Sequence, residues 1–162
     1  MGKRLRLTEE GFGGIMLSVD NLDRFLDAFT AWARQHAAVL GAAIVGSHAR
    51  GTARAGSDLD LVILCQDPGI FLDDDSWLQT WGQTAATQVE DYGALTSLRA
   101  FYLDGLEVEF GLTTASWAAI PVDPGTRQVV SGGIKILHDP EGLFEDLESA
   151  VRPVPSPSRR TS

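Results

Sequence analysis

Residues 45–64 read VGSHARGTARAGSDLDLVIL, and two acids in this stretch, Asp58 and Asp60, stand one residue apart at the head of the apolar run Leu61 to Leu64. On an extended strand, residues two apart leave the same face, so both carboxylates point one way while Leu59 and Leu61 point into a core. Two carboxylates a few ångström apart repel. Protonation of one acid or a bound divalent cation relieves the repulsion, and hard oxygen donors select magnesium, manganese or calcium. Upstream, Gly46-Ser47 closes one apolar run and opens the short helix-compatible stretch SHARGTAR. Free backbone N–H groups and the helix dipole favour an anion at such a junction, and the Ser47 hydroxyl adds a donor. A phosphate held there beside a metal is the arrangement of phosphoryl or nucleotidyl transfer. Other phosphate loops fit less well: there is no GxxxxGK[ST], and GSHARG carries His48 where a dinucleotide fingerprint needs its second glycine.

The elements that must position these residues follow from periodicity. Leu22, Phe25, Leu26, Phe29 and Trp32 recur at helical spacing after Asp20, which predicts an amphipathic helix over 21–36. VLGAAIV (39–45) and 59–65 read as buried strands on either side of the helical turn. QDPGIFLDDD reads as a loop, and Asp75 as the cap of a helix over 76–89 with Trp77, Leu78, Trp81 and Val89 facing inward. The aspartates 73–75 lack the alternation and distal Glu of a calcium loop.

Strands 95–103 and 106–112 flank Asp104-Gly105, a strong hairpin signal. A two-residue loop would pair Leu103 with Leu106, Phe101 with Val108 and Arg99 with Phe110. That register puts Leu106, Val108 and Phe110 on the core face, and Glu107 and Glu109 together on the other, beside Tyr102 and Ala100. The hairpin could therefore carry further carboxylates toward Asp58 and Asp60. Beyond it, Asp123-Pro124 opens a short helix closed by Gly132-Gly133, residues 134–137 form a last strand, and Asp139-Pro140 starts a helix carrying Leu143, Phe144, Leu147 and Val151.

The 162 residues suit one domain, expected over 1–151, with the Pro- and Ser-rich tail 152–162 expected to be disordered. The formal charge is −9; the first ten residues carry +1 and residues 151–162 carry +3, leaving −13 on the body. Such a surface repels a long nucleic acid and attracts cations, metal ions or polycationic small molecules. No apolar run is long enough for a membrane span and the N-terminus lacks the apolar core of a signal peptide, so the expected location is cytoplasmic, with no membrane contact. The single Cys65 supports neither a disulfide nor a thiol-rich zinc site and reads as core. His36, His48 and His138 have no ligand spacing, His48 is expected to be exposed beside the loop, and Lys135 reads as a surface residue.

Gly46-Ser47, ten intervening residues and then Asp58-Leu59-Asp60 resemble the GS…DxD signature of the polymerase-β-like nucleotidyltransferase superfamily, including the Ala49-Arg50-Gly51 segment frequent in its small bacterial members. The resemblance covers about 38–112 and extends to aminoglycoside adenylyltransferases and to minimal antitoxin nucleotidyltransferases. It implies the nucleotidyltransferase fold, an α/β (α+β) architecture with a small mixed β-sheet flanked by helices. The superfamily's third acid lies on a later strand; Glu109 matches it, with Glu107 as the alternative, and Glu in place of the more usual Asp is a departure. The implied chemistry is magnesium-dependent transfer of a nucleoside monophosphate, AMP from ATP or another NTP, to a hydroxyl. Asp58, Asp60 and Glu109 would be the catalytic and metal-binding residues for two Mg2+ ions. Gly46 and Ser47 would hold the β- and γ-phosphates, and Arg50 and Arg54 would reach triphosphate oxygens. The acceptor is a small molecule such as an aminoglycoside or, in the antitoxin reading, a hydroxyl of a partner toxin protein. A homodimer supplying the acceptor wall, and a nucleotide-binding module without turnover, are the further alternatives.

Overall fold

The computed structural model describes residues 13–54 and 56–152. The expected tail lies outside them, save Arg152. Helix α1 (Gly13–Gln35) lays Phe25, Phe29 and Ala33 into the core. It starts earlier than predicted, so Asp20 is an interior helical residue and not a cap. Asp costs a helix interior only some tenths of a kcal/mol, roughly 0.7 at most, so a longer helix absorbs it.

Strands β1 (Val39–Val45) and β2 (Leu59–Cys65) have the predicted bounds. They enclose α2 (Ser47–Arg50), which Gly51 closes in the left-handed conformation at φ 79°. The expected loop that follows contains a short helix, α3 (Gly69–Asp73), anchored by the buried Phe71. The predicted helix over 76–89 is absent. A 3-10 helix (Ser76–Trp81) ends at Gly82, whose φ of 148° breaks it, and strand β3 (Thr84–Asp91) follows. The short 3-10 helix already buries Leu78 and packs Trp77 and Trp81 on the core, so no longer helix is needed.

Strands β4 (Thr96–Tyr102) and β5 (Glu107–Thr113) form the expected hairpin in a different register. Arg99 stands opposite Glu109, Ala100 opposite Val108 and Phe101 opposite Glu107. The loop is one residue longer than a two-residue turn: Tyr102 N–H bonds the Leu106 carbonyl, Gly105 N–H bonds the Tyr102 carbonyl, and Gly105 takes φ 97°. A one-residue shift exchanges the faces of β4. Ala100 and Tyr102 therefore enter the core, and Ser97 and Arg99, not Tyr102 and Ala100, share the face of Glu107 and Glu109.

Helix α4 (Pro124–Ser131) is capped by Asp123, whose carboxylate accepts from Gly125 N and Thr126 N. Strand β6 (Lys135–His138) and helix α5 (Leu143–Val151) complete the described chain. Helix α5 begins at Leu143 after Gly142 and not at Asp139-Pro140 as expected, although the Asp139 carboxylate still reaches forward to accept from the amides of Phe144 and Glu145. The six strands form one sheet in the order β3-β4-β5-β2-β1-β6, antiparallel throughout except for the parallel pair β2 and β5.

One face packs against α1, α3 and the first 3-10 helix through an aromatic cluster in which Trp77 and Phe110 lie 5.0 Å apart and Trp32 and Trp77 stack at 5.3 Å. The other face packs Val45, Val62 and Leu64 against Trp117, Val130, Phe144 and Leu147. Among the described residues no helix is long and apolar enough to cross a membrane.

Candidate active site

Parallel pairing of β2 with β5 sets Asp60 directly beside Glu109. Asp58 lies just before β2, and the buried Leu59 and Leu61 on the opposite face fix the direction of both aspartates. One carboxylate oxygen from each of Asp58, Asp60 and Glu109 lies within 4.8 Å of those of the other two, and all three residues are half-buried. Glu107, the alternative third acid, belongs to a different contact: its Oε2 accepts from Arg99 Nη1.

The crowding has an electrostatic signature. The Asp60 carboxyl is pushed up to about 8 by burial first, then by hydrogen bonding to Glu109 and by the charge of Asp58. Arg99 is ion-paired with the cluster. Its Nη1 lies 2.9 Å from Asp58 Oδ2 and its Nη2 3.1 Å from Glu109 Oε1. Partial burial works against its charge, but hydrogen bonds to Asp58 and Glu107 and the charges of Glu109 and Asp58 outweigh this and raise its pKa. Ser97 Oγ donates to Glu109 Oε2, so both oxygens of Glu109 are engaged. Sequence reasoning missed Arg99 and Ser97. The available signal was their own spacing: Ser97 and Arg99 stand two apart and alternate with the apolar Leu98 and Ala100.

Gly46 is required twice over. It sits at φ 74°, and a Cβ there would collide with Asp60 Oδ2. Its carbonyl accepts from the amides of Ala49 and Arg50, which closes the turn and leaves the first amides of α2 without partners inside the helix. Ser47 is half-buried at that turn. His48 is half-buried rather than exposed, with Nε2 3.4 Å from the Ser57 carbonyl oxygen.

A cleft of about 480 Å³ opens on this side of the sheet, between Gly46, Asp60 and Glu109, the β3–β4 turn at Tyr92 and Leu95, and Trp117 with the start of α4. Arg50, itself exposed, lines it and lies beside Gly132 and Gly133, whereas Arg54 does not line it. The β3–β4 turn is held down by Thr113 Oγ1, which donates to the Ala94 carbonyl, and Tyr92 OH donates to Glu90 Oε1 at 2.8 Å. The oxygen donors of Asp58, Asp60 and Glu109 fit a divalent cation: they are hard and close together, and their crowding raises the Asp60 carboxyl even with Arg99 paired to the other two acids.

Comparison with known proteins adds to this geometry. One solved structure, an aminoglycoside 6-adenyltransferase from Bacillus subtilis, is similar at 18% identity over 57% of this chain and 35% of that one, with a TM-score of 0.46. The chain thus spans about a third of the length of that structure. The comparison with curated proteins gives no match. The family model described as nucleotidyltransferase domain matches residues 27–94. That segment holds the Gly46-Ser47 turn and both aspartates and stops short of Glu109. With the carboxylate trio, that match makes the segment similar to a nucleotidyltransferase domain.

Proposed function

We propose that residues 1–151 act as one nucleotidyltransferase domain that moves a nucleoside monophosphate, with AMP from ATP as the first candidate, onto a hydroxyl acceptor. The observation that carries the reading is the convergence of Asp58, Asp60 and Glu109 oxygens within 4.8 Å beside the Gly46 turn, at the edge of a cleft. Asp58, Asp60 and Glu109 would hold two Mg2+ ions. Bound there, the ions would lower the pKa of the acceptor hydroxyl and neutralise charge on the leaving pyrophosphate.

The chain's own residues have distinct tasks in this reading. Gly46 lets the backbone pass close to Asp60, and the amides of Ser47 and the residue after it, with the Ser47 hydroxyl, bind the β- and γ-phosphates. Arg50, at the wall of the cleft, would reach phosphate oxygens. Arg54 is a solvated charge. Glu109 either completes the oxygen set or takes the acceptor proton.

The net charge of −9 and the acids Asp60, Glu109 and Asp123 at the cleft favour a cationic acceptor, so aminoglycoside-like compounds are the first class to test, with protein hydroxyls second. The test is pyrophosphate release from each NTP with Mg2+ and an acceptor panel, comparing the natural chain with Asp60→Asn. Release that needs acceptor and is lost in the variant supports the reading; release unaffected by the substitution rejects it.

A further inference from the structure

Arg99 occupies an unusual place for a cation in a chain whose acid cluster is read as a metal centre. It contacts two of the three acids, at the oxygens Asp58 Oδ2 and Glu109 Oε1, and it does so from a strand on which it directly faces Glu109. Its remaining partner, Glu107, lies on the same face two residues before Glu109 and is not part of the trio. A guanidinium 2.9 Å from a carboxylate that is to ligate a divalent ion places two positive charges close together.

We infer that Arg99 is the resident counter-ion of the acid cluster and competes with the divalent cation, which displaces it from Asp58 and Glu109 onto Glu107. This rests on the reading of Asp58, Asp60 and Glu109 as a cation site. Arg99 is thus a positioning residue. In the metal-free protein it holds Asp58 and Glu109 in place, and the ion binds only against the loss of those two ion pairs. Glu107 gains a role from the same geometry, since it keeps the guanidinium partnered when the other two contacts open. Ser97 continues to hold Glu109 Oε2 and limits how far that side chain moves.

The experiment is Mn2+ binding to the metal-free protein, measured from the electron paramagnetic resonance signal of the free aqueous ion. Arg99→Met should bind Mn2+ at least tenfold tighter than the natural chain, a change opposite in sign to that caused by damaged folding. Arg99→Gln, which still donates hydrogen bonds but carries no charge, should also bind more tightly and replaces the Met variant if that one does not fold. Adding Asp60→Asn to either variant should remove the gain, because Asp60 belongs to the trio but makes no ion pair with Arg99. Equal or weaker Mn2+ binding in both Arg99 variants, with Asp60→Asn still weakening the natural chain, overturns the inference and leaves the metal-centre reading standing. No Mn2+ binding in any of these proteins overturns both.

Discussion

Asp60 and Glu109 are register partners across the parallel β2–β5 junction, so the backbone itself places two carboxylates side by side. Neither depends on a loop for its position. Asp58 enters from the residue before β2, and together the three make a cluster whose geometry is set by buried strands.

The two glutamates of β5 should separate cleanly. Glu109→Gln is expected to lower transfer by about a thousandfold, since removing a metal-binding or proton-accepting group costs several kcal/mol of transition-state stabilisation. Glu107→Gln, which touches Arg99 and not the trio, should cost about tenfold or less. Steady-state rates of the two variants check this, and equal losses would contradict it.

Gly46→Ala should damage the site out of proportion to its size. At φ 74° an alanine costs about 1–3 kcal/mol, and its methyl group must also push the Asp60 carboxylate aside. Gly105→Ala is the control, because Gly105 has φ 97° but nothing within 4 Å of the added carbon. Both variants should melt earlier in thermal denaturation, while only Gly46→Ala loses transfer.

In the metal-free protein the Asp60 carboxyl titrates at about 8, against 3.8 for the ordinary group. Between these values the folded chain holds a proton that the unfolded chain has released, so this group's contribution to stability falls as pH rises through the window. The melting temperature with chelator present should therefore drop between about pH 5 and pH 8, and the drop should be smaller in Asp60→Asn. An identical pH slope in the two proteins would contradict the assignment.

Phe110 follows Glu109 and is fully buried, with ring centroids 5.0 Å from Trp77 and 5.8 Å from Trp81. Phe110→Ala should cost about 3–5 kcal/mol through lost burial and the cavity left behind. At about 2–4 °C per kcal/mol for a chain of this size, the melting temperature should fall by roughly 10 °C.

Much of the site was legible because buried strands announce themselves. VLGAAIV and LDLVILC are apolar runs with small or acidic breaks at their ends, and their bounds, the turn between them and the same-face aspartates all follow from that pattern. The β4–β5 register did not follow, because Asp-Gly marks a turn without fixing its length. The structure spends Leu103, 63% exposed, in the loop instead of pairing it with Leu106. That one residue exchanged the faces of β4 and hid Arg99 from the acid cluster. Strand β3 was misread for a different reason: TAATQVED lies at the sheet edge, exposed along nearly its whole length, so no burial alternation marks it as a strand.

The most direct measurement of the central claim follows label from ATP carrying phosphorus-32 at the α- or at the γ-position, with Mg2+ and a panel of cationic hydroxyl compounds and proteins. Nucleotidyl transfer predicts that α-label enters the acceptor, that γ-label leaves as pyrophosphate, and that both events disappear in Asp58→Asn and Asp60→Asn. Label reaching the acceptor from the γ-position, no transfer from any of the four nucleotides, or transfer that survives both substitutions would contradict the account.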